Sequence, residues 1–291
     1  MIDKLEMFIA LANHQHFGRA AEECGVTQPT LSAAIKQLEA QLGVMLVWRG
    51  SRFRGLTPEG QRVLEWARRI VGDARALREE MRAAKTGLSG NLRISVIPTA
   101  LSLASDLTAP LRARHPNLHF TITSHSSADI LSALDNLEID AGITYLENEP
   151  LGRVTTVPLF HEHYYLVTRI EDARDRVTWA EAATLPLCLL TGDMQNRRIV
   201  NHHMAQAGAE AAPRLESNSV VVLVSHVLNG GWATILPMRT VRPFLAAGDL
   251  AACPITDPEV SHLVGLVAPL REPFTPVLSA VLAEARKIAE V

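Results

Sequence analysis

The chain has 291 residues, 47% hydrophobic and 20% charged, with a formal net charge of -3 and three cysteines. That length accommodates about two domains with cores of their own, and the composition excludes a disordered or fibrous chain. No run of about 18 apolar residues is present to span a bilayer, and a start bearing Asp3, Lys4 and Glu6 does not read as a signal peptide, so a cytoplasmic protein with no membrane partner is expected. Cys24, Cys188 and Cys253 stand far apart in no C-x-x-C spacing. They read as reduced, buried thiols rather than a disulfide framework, a redox pair or a zinc ribbon.

Leu5, Phe8, Ile9 and Ala12 recur at helical spacing, which predicts a first helix over residues 2–14. Phe17-Gly18-Arg19-Ala20-Ala21 then leads through Gly25 to Thr27-Gln28-Pro29 and on to Leu31, the spacing of a helix-turn-helix. Ala21 lets two helices cross closely, and Gly25 supplies the backbone freedom of the tight turn. Thr27 caps the second helix, with Pro29 in its first turn, where a missing N–H costs nothing. Leu31, Ile35, Leu38 and Leu42 are expected to face inward. Gln28, Pro29, Thr30, Ser32, Ala33 and Lys36 are expected to meet bases or nearby phosphates of double-stranded DNA. Gly43 ends that helix, and residues 46–58 read as a hairpin wing carrying Arg49, Arg52 and Arg54 towards the backbone. The charge is local: residues 24–57 hold Lys36 and the three arginines against one acid, Glu39, while the net charge of the chain is negative.

Thr57-Pro58 opens a long helix to residue 86, along which Val63, Ala67, Ile70, Ala74, Leu77 and Met81 step by four and three. This heptad seam predicts helix pairing between two chains, against the plainer alternative of an amphipathic helix lying on its own domain. Residues 87–91, rich in Gly and Ser, read as a hinge.

From residue 92 short apolar strands alternate with helical stretches. Strands are expected at 92–97, 120–124, 141–146, 165–168, 187–191 and 233–236, giving a largely parallel sheet with helices on both faces. In such sheets ligands sit beyond the carboxyl ends of the strands. The loops there supply Pro98, Thr99, Ser102, His125, Ser126, Thr144, Tyr145, Gly192, Met194 and Gln195 as effector-binding candidates, with His125 or Arg197 as charge partners. Enzyme signatures are missing: no G-x-S-x-G elbow, P-loop or G-x-G-x-x-G fingerprint occurs. His161-x-His163 and His202-His203 lack the further ligands of a metal site. No catalytic residue, metal or cofactor is expected.

The helix-turn-helix, the arginine wing closing on Leu56-Thr57-Pro58-Glu59-Gly60, the linker helix and the length resemble those of LysR-type transcriptional regulators. Gly18, Ala33-Ala34 and Val47-Trp48 depart from the common pattern, which bears on which bases are read. The segments 143–151 and 194–198 are similar to those of members found beside formate-dehydrogenase genes. The resemblance implies an α/β protein with an all-α winged helix-turn-helix (1–58), a linker helix (59–86), a hinge (87–91) and an effector domain (92–291). That domain would comprise two Rossmann-like subdomains resembling a periplasmic binding protein, one from 92–161 and 268–291, the other from 162–267. It further implies a small anionic metabolite between them, a dimer of dimers, and RNA polymerase as a partner. Two alternatives remain beside it: an architectural DNA-bound protein with no effector, and an enzyme with a DNA-binding head.

Overall fold

The computed structural model describes residues 1–48, 53–147 and 150–289. Residues 1–87 form the body of one compact unit, and residues 88–134 and 139–272 the body of a second. The first unit contains α1 (Ile2–His14), α2 (Phe17–Glu23), α3 (Gln28–Leu42) and α4 (Pro58–Thr86). Phe8 and Leu11 of α1, Ala20 and Ala21 of α2, Leu31, Ile35 and Leu38 of α3, and Leu64, Ala67 and Val71 of α4 share one core. Their spacing of three and four is what closes these helices on each other.

Local chemistry sets the ends. His16 caps α2, its Nδ1 accepting from the N–H of Gly18 at 3.1 Å and of Arg19 at 3.3 Å. Gly25 takes φ 65° in the turn, and the Thr27 hydroxyl accepts from Thr30 N–H at 3.4 Å. Leu42, expected inward, is exposed; the last turn of α3 overhangs the core before Gly43 stops it at φ 70°. The wing is a minimal hairpin at its base, with Val47 bridged to Leu56 and Trp48 N–H donating to Gly55 O at 3.1 Å. Glu39 accepts from Leu46 and Val47 N–H at 2.8 and 3.3 Å. The one acid of the basic stretch is therefore occupied in holding the wing. Thr57 joins wing to linker: its hydroxyl donates to Met45 O at 2.6 Å and accepts from Gly60 N–H at 2.9 Å. A side chain at Gly60 would lie 2.1 Å from Leu46 O, so only glycine allows α4 to start there.

The second unit contains β1 (Gly90–Val96), α5 (Leu103–Arg114), β2 (Leu118–Ser124), α6 (Ser127–Asp135), β3 (Ala141–Tyr145) and β4 (Val154–Arg169). It continues with β5 (Val177–Thr178), α7 (Trp179–Ala183), β6 (Cys188–Leu190), α8 (Gln195–Gln206), β7 (Leu215–Ser217) and α9 (Val220–Asn229). β8 (Thr234–Pro237), α10 (Met238–Leu245), β9 (Leu250–Thr256), β10 (Ser261–Pro269) and α11 (Pro276–Ile288) complete it. Since β1 begins at Gly90, the connection from α4 is shorter than the expected hinge of 87–91.

The main sheet runs β2-β1-β3-β10-β4-β9-β5, with β8 also on β4, and β6-β7 form a small second sheet. β1 is parallel to β2 and β3, but β10 pairs antiparallel with both β3 and β4, and β4 antiparallel with β8 and β9. The largely parallel sheet read from the strands alone is thus corrected to a mixed one. The crossing strands explain it: the break expected at 161/162 falls inside the 16-residue β4, and that at 267/268 inside β10. Pro158 and the Glu162-flanking histidines conceal β4 in the sequence. The structure accommodates Pro158 where the register shifts opposite Val264/Gly265, the irregular ladder position at which a missing N–H is tolerated.

Candidate nucleic-acid interface and ligand cleft

The polar face of α3 is open. Gln28, Pro29, Thr30, Ala33 and Lys36 are exposed and Ser32 is half-buried, while Leu31, Ile35 and Leu38 are buried on the other side. Thr30 is partly engaged, its hydroxyl 2.9 Å from that of Thr27. Gln37 shares the open face and was missed, because a lone Gln in a helix carries no signal of its own. Arg54 is exposed on the returning arm of the wing. Arg49 and Arg52 lie outside the described residues.

Along α4, Ile70, Leu77 and Met81 are 41%, 60% and 56% exposed, an apolar stripe that no part of its own unit covers. Val63 and Ala74 are half-buried at its edge. Ala67 is corrected: at 1% exposure it belongs to the domain's own core beside Leu64 and Val71. Trp66, 61% exposed with Arg69 over its ring at 5.1 Å, extends the stripe instead. The shift follows from α4 having two apolar faces, one for its own core and one outward.

In the second unit, a tight crevice, closed down to less than the room of a water molecule, is lined by Ile97, Pro98, Thr99, Ser127, Tyr145, Leu190, Met194, Gln195 and Asn196. Five expected residues line it: Pro98, Thr99, Tyr145, Met194 and Gln195. Thr144 is buried beside Tyr145. Five expected residues, Thr144 among them, do not line it. Ser102 and Gly192 are exposed, His125 is exposed with its Nδ1 3.1 Å from the Ser95 hydroxyl, and Ser126 is tied to Asp129, donating to its carboxylate at 2.7 Å. Ile97, Ser127, Leu190 and Asn196 were missed, and Ile97, Ser127 and Asn196 each stand next to an expected residue. The loops at the strand ends supply most of the lining, and which residue of each turns inward is set by the backbone.

None of the nine lining residues is charged. Arg197, expected as a charge partner, pairs with Glu216 and donates to Leu190 O at 3.0 Å and Asn201 Oδ1 at 2.7 Å. What the cavity offers is neutral polarity. Thr99 Oγ1, Ser127 Oγ and Asn196 Nδ2 are buried with no hydrogen-bond partner of ordinary geometry among the described residues, as is Thr144 Oγ1, which lies outside the lining. α6 begins at Ser127 and α8 at Gln195, so two helix N-termini meet there; α8 has no side-chain cap, whereas in α6 the Asp129 N–H donates to Ser126 Oγ at 3.2 Å. Behind Tyr145 lies Glu162, 1% exposed, whose Oε2 accepts the Tyr145 hydroxyl at 2.6 Å. Burial pushes the Glu162 carboxyl up to about 7, against the hydrogen bond of Tyr145, the nearby Thr99 hydroxyl and the charge of Arg239.

Cys188 and Cys253 are buried, and Cys24 is half-buried. Burial carries Cys188 up to about 11, and raises Cys253 and Cys24 as well. Among the described residues no group of three His, Cys, Asp or Glu is placed to hold a metal ion.

Residues 2–61 match the model of the bacterial regulatory helix-turn-helix protein, lysR family, and residues 85–289 that of the LysR substrate binding domain. The chain belongs to the LysR family. The DNA-binding transcriptional dual regulator OxyR of Escherichia coli K12 is 31% identical over 295 residues, which cover 97% of this chain and 95% of that protein. The hydrogen peroxide-inducible genes activator of Haemophilus influenzae is 28% identical over 304 residues, 99% and 98% of the two chains. A full-length OxyR variant from Pseudomonas aeruginosa matches with a TM-score of 0.76 at 27% identity, covering 100% of this chain and 95% of that one. CbnR in complex with its target DNA shares the fold, with a TM-score of 0.61 at 23% identity over 99% and 100%. This LysR-family chain is a DNA-binding transcriptional regulator with an effector-binding domain, and its relatives are regulators rather than enzymes.

Proposed function

We propose that this regulator reads an operator with Gln28, Pro29, Thr30, Ser32, Ala33, Gln37 and Lys36, grips phosphates with Arg49, Arg52 and Arg54, and responds to a small oxyanion in the cleft of its second unit. Two copies pair through the outward stripe of α4, and two such pairs make a tetramer in the cytoplasm. The anion favours one arrangement of the assembly, changing the spacing of the DNA-binding heads and their engagement with RNA polymerase. One observation supports the cleft most directly: three buried polar atoms without partners among the described residues, Thr99 Oγ1, Ser127 Oγ and Asn196 Nδ2, belong to residues that line a crevice between two helix N-termini.

Each such atom costs about 1–3 kcal/mol when unsatisfied, so removing one without changing shape should stabilise the protein while weakening its ligand. Ser127→Ala is therefore expected to raise stability by about 1 kcal/mol in urea unfolding and to blunt the response of a reporter gene. An unchanged response together with the gain in stability would favour the architectural alternative. Mapping bound sites across the genome identifies the neighbouring genes and hence the metabolite to titrate.

The names of the relatives raise peroxide as the signal. Thiol-based sensing needs an accessible thiolate, and all three cysteines here are raised by burial. Peroxide treatment of the full-length protein is expected to leave its free thiols and its operator footprint unchanged; a new disulfide or sulfenic acid by mass spectrometry would restore the thiol reading.

A further inference from the structure

We propose that the cleft takes its oxyanion together with a proton, which Glu162 receives, so that the regulator responds to the anion and to acidity jointly. This rests on the cleft being the effector site.

The argument starts from one hydroxyl. Tyr145 lines the cavity, but its proton is committed to Glu162 Oε2 at 2.6 Å. A phenol has a single proton to donate, so Tyr145 presents only lone pairs to the cavity while Glu162 is ionised. An oxyanion there meets acceptor against acceptor. It also meets like charge: a ligand oxygen in hydrogen-bond contact with Tyr145 Oη is roughly 5 Å from the carboxylate, two hydrogen-bond lengths away. With little water between, that repulsion is strong. Protonation removes both obstacles. The carboxylic acid donates to Tyr145 Oη, the phenolic proton turns to the cavity, and the negative charge behind it is gone. Thr99 Oγ1, in the same wall, has no hydrogen bond of ordinary geometry yet lies near enough to favour the ionised carboxyl; once that charge is gone its hydroxyl dipole is no longer drawn towards Glu162.

The groups facing Glu162 leave it poised for this exchange. From β3 comes Tyr145, and along β4 itself Tyr164, whose ionisation Glu162 opposes. Across the ladder on β10 stands His262, in register with Glu162 and held towards its neutral form by burial. From α10 comes Arg239, which favours the carboxylate but also pairs with Asp106 of α5 at 3.5 Å and stacks on Phe160. Burial outweighs these and sets the carboxyl at about 7.

The sign follows. Only the protonated form is competent, and its population falls from mostly present at pH 6 to about a tenth at pH 8, so the apparent affinity should fall about tenfold over that interval. The test uses the full-length protein and formate, nitrate and sulfate, which keep their charge across this range. Calorimetric titrations in two buffers of different ionisation heat should show about one proton taken up per anion bound at pH 8, and E162Q should show none, with affinity independent of pH. Binding by the wild type without proton uptake overturns the proposal and leaves the oxyanion reading standing, as does uptake that persists in E162Q. Failure of all three anions to bind at any pH removes both. Should E162Q not fold, infrared difference spectra of the wild type decide: a carboxylic-acid band appearing at pH 8 on anion binding supports the proposal, and its absence overturns it.

Discussion

Ile70→Glu combined with Leu77→Glu is expected to give a folded protein that no longer pairs and no longer holds its operator. Both side chains are largely exposed on α4 while Leu64, Ala67 and Val71 carry that helix on its own core, so the thermal transition of the head should stay in place. Two carboxylates per chain would face their counterparts across the seam, where like charges and lost apolar burial act in the same direction. A single head contacts one half-site, and specific binding exceeds non-specific binding by about a thousandfold or more; a loss of that order is the expected result. Sedimentation should show monomers and footprinting should show no protection. A stable dimer in the double variant would mean that α4 is not the seam. Leu64→Ala is the contrast: it should cost about 3 kcal/mol of stability through a core cavity and leave the pairing intact.

Gln28→Ala and Arg54→Ala should separate reading from gripping. Gln28 is exposed in the first turn of α3, where an amide can make a bidentate contact with adenine in the major groove. Its loss should cost about 1–3 kcal/mol at one position of each half-site and leave random duplex unaffected. Arg54 should weaken all duplexes alike and lower the salt slope by about one. Equal losses on specific and random DNA for Gln28→Ala would remove it from the base-reading set.

The head was legible in the sequence because its determinants are local. Thr27, Gly25 and Leu31 act within a turn or two of where they stand, and the caps and turn follow from residue type. Leu42 failed for lack of a neighbour to cover it, and Ala67 because α4 has two apolar faces that one heptad count cannot separate. The second unit depends on distant pairing. β4 meets β8, β9 and β10, up to about a hundred residues onward, and nothing inside a strand containing Pro158 announces those partners. The loops that line the candidate cleft were legible, since strand ends and helix starts are patterned. The inward choice of Ser127 over Ser126, or of Asn196 beside Gln195, depends on one residue of backbone rotation. Glu162 was invisible as a site residue: a Glu between histidines reads as surface until Tyr145 is placed against it.

β4 and β10 run side by side over nine paired positions and extend into both halves of the second unit. Two ribbons locked by a ladder resist swinging as a door does on a pin, yet yield to torsion. The bulge at Pro158, opposite Gly265, concentrates that compliance at one level of the beam. If the cleft is filled as proposed, movement of the halves is expected to take the form of a twist about the crossing strands rather than a hinged swing. Glu162 lies a few residues from that level, so the proton and the twist act on the same short stretch of chain.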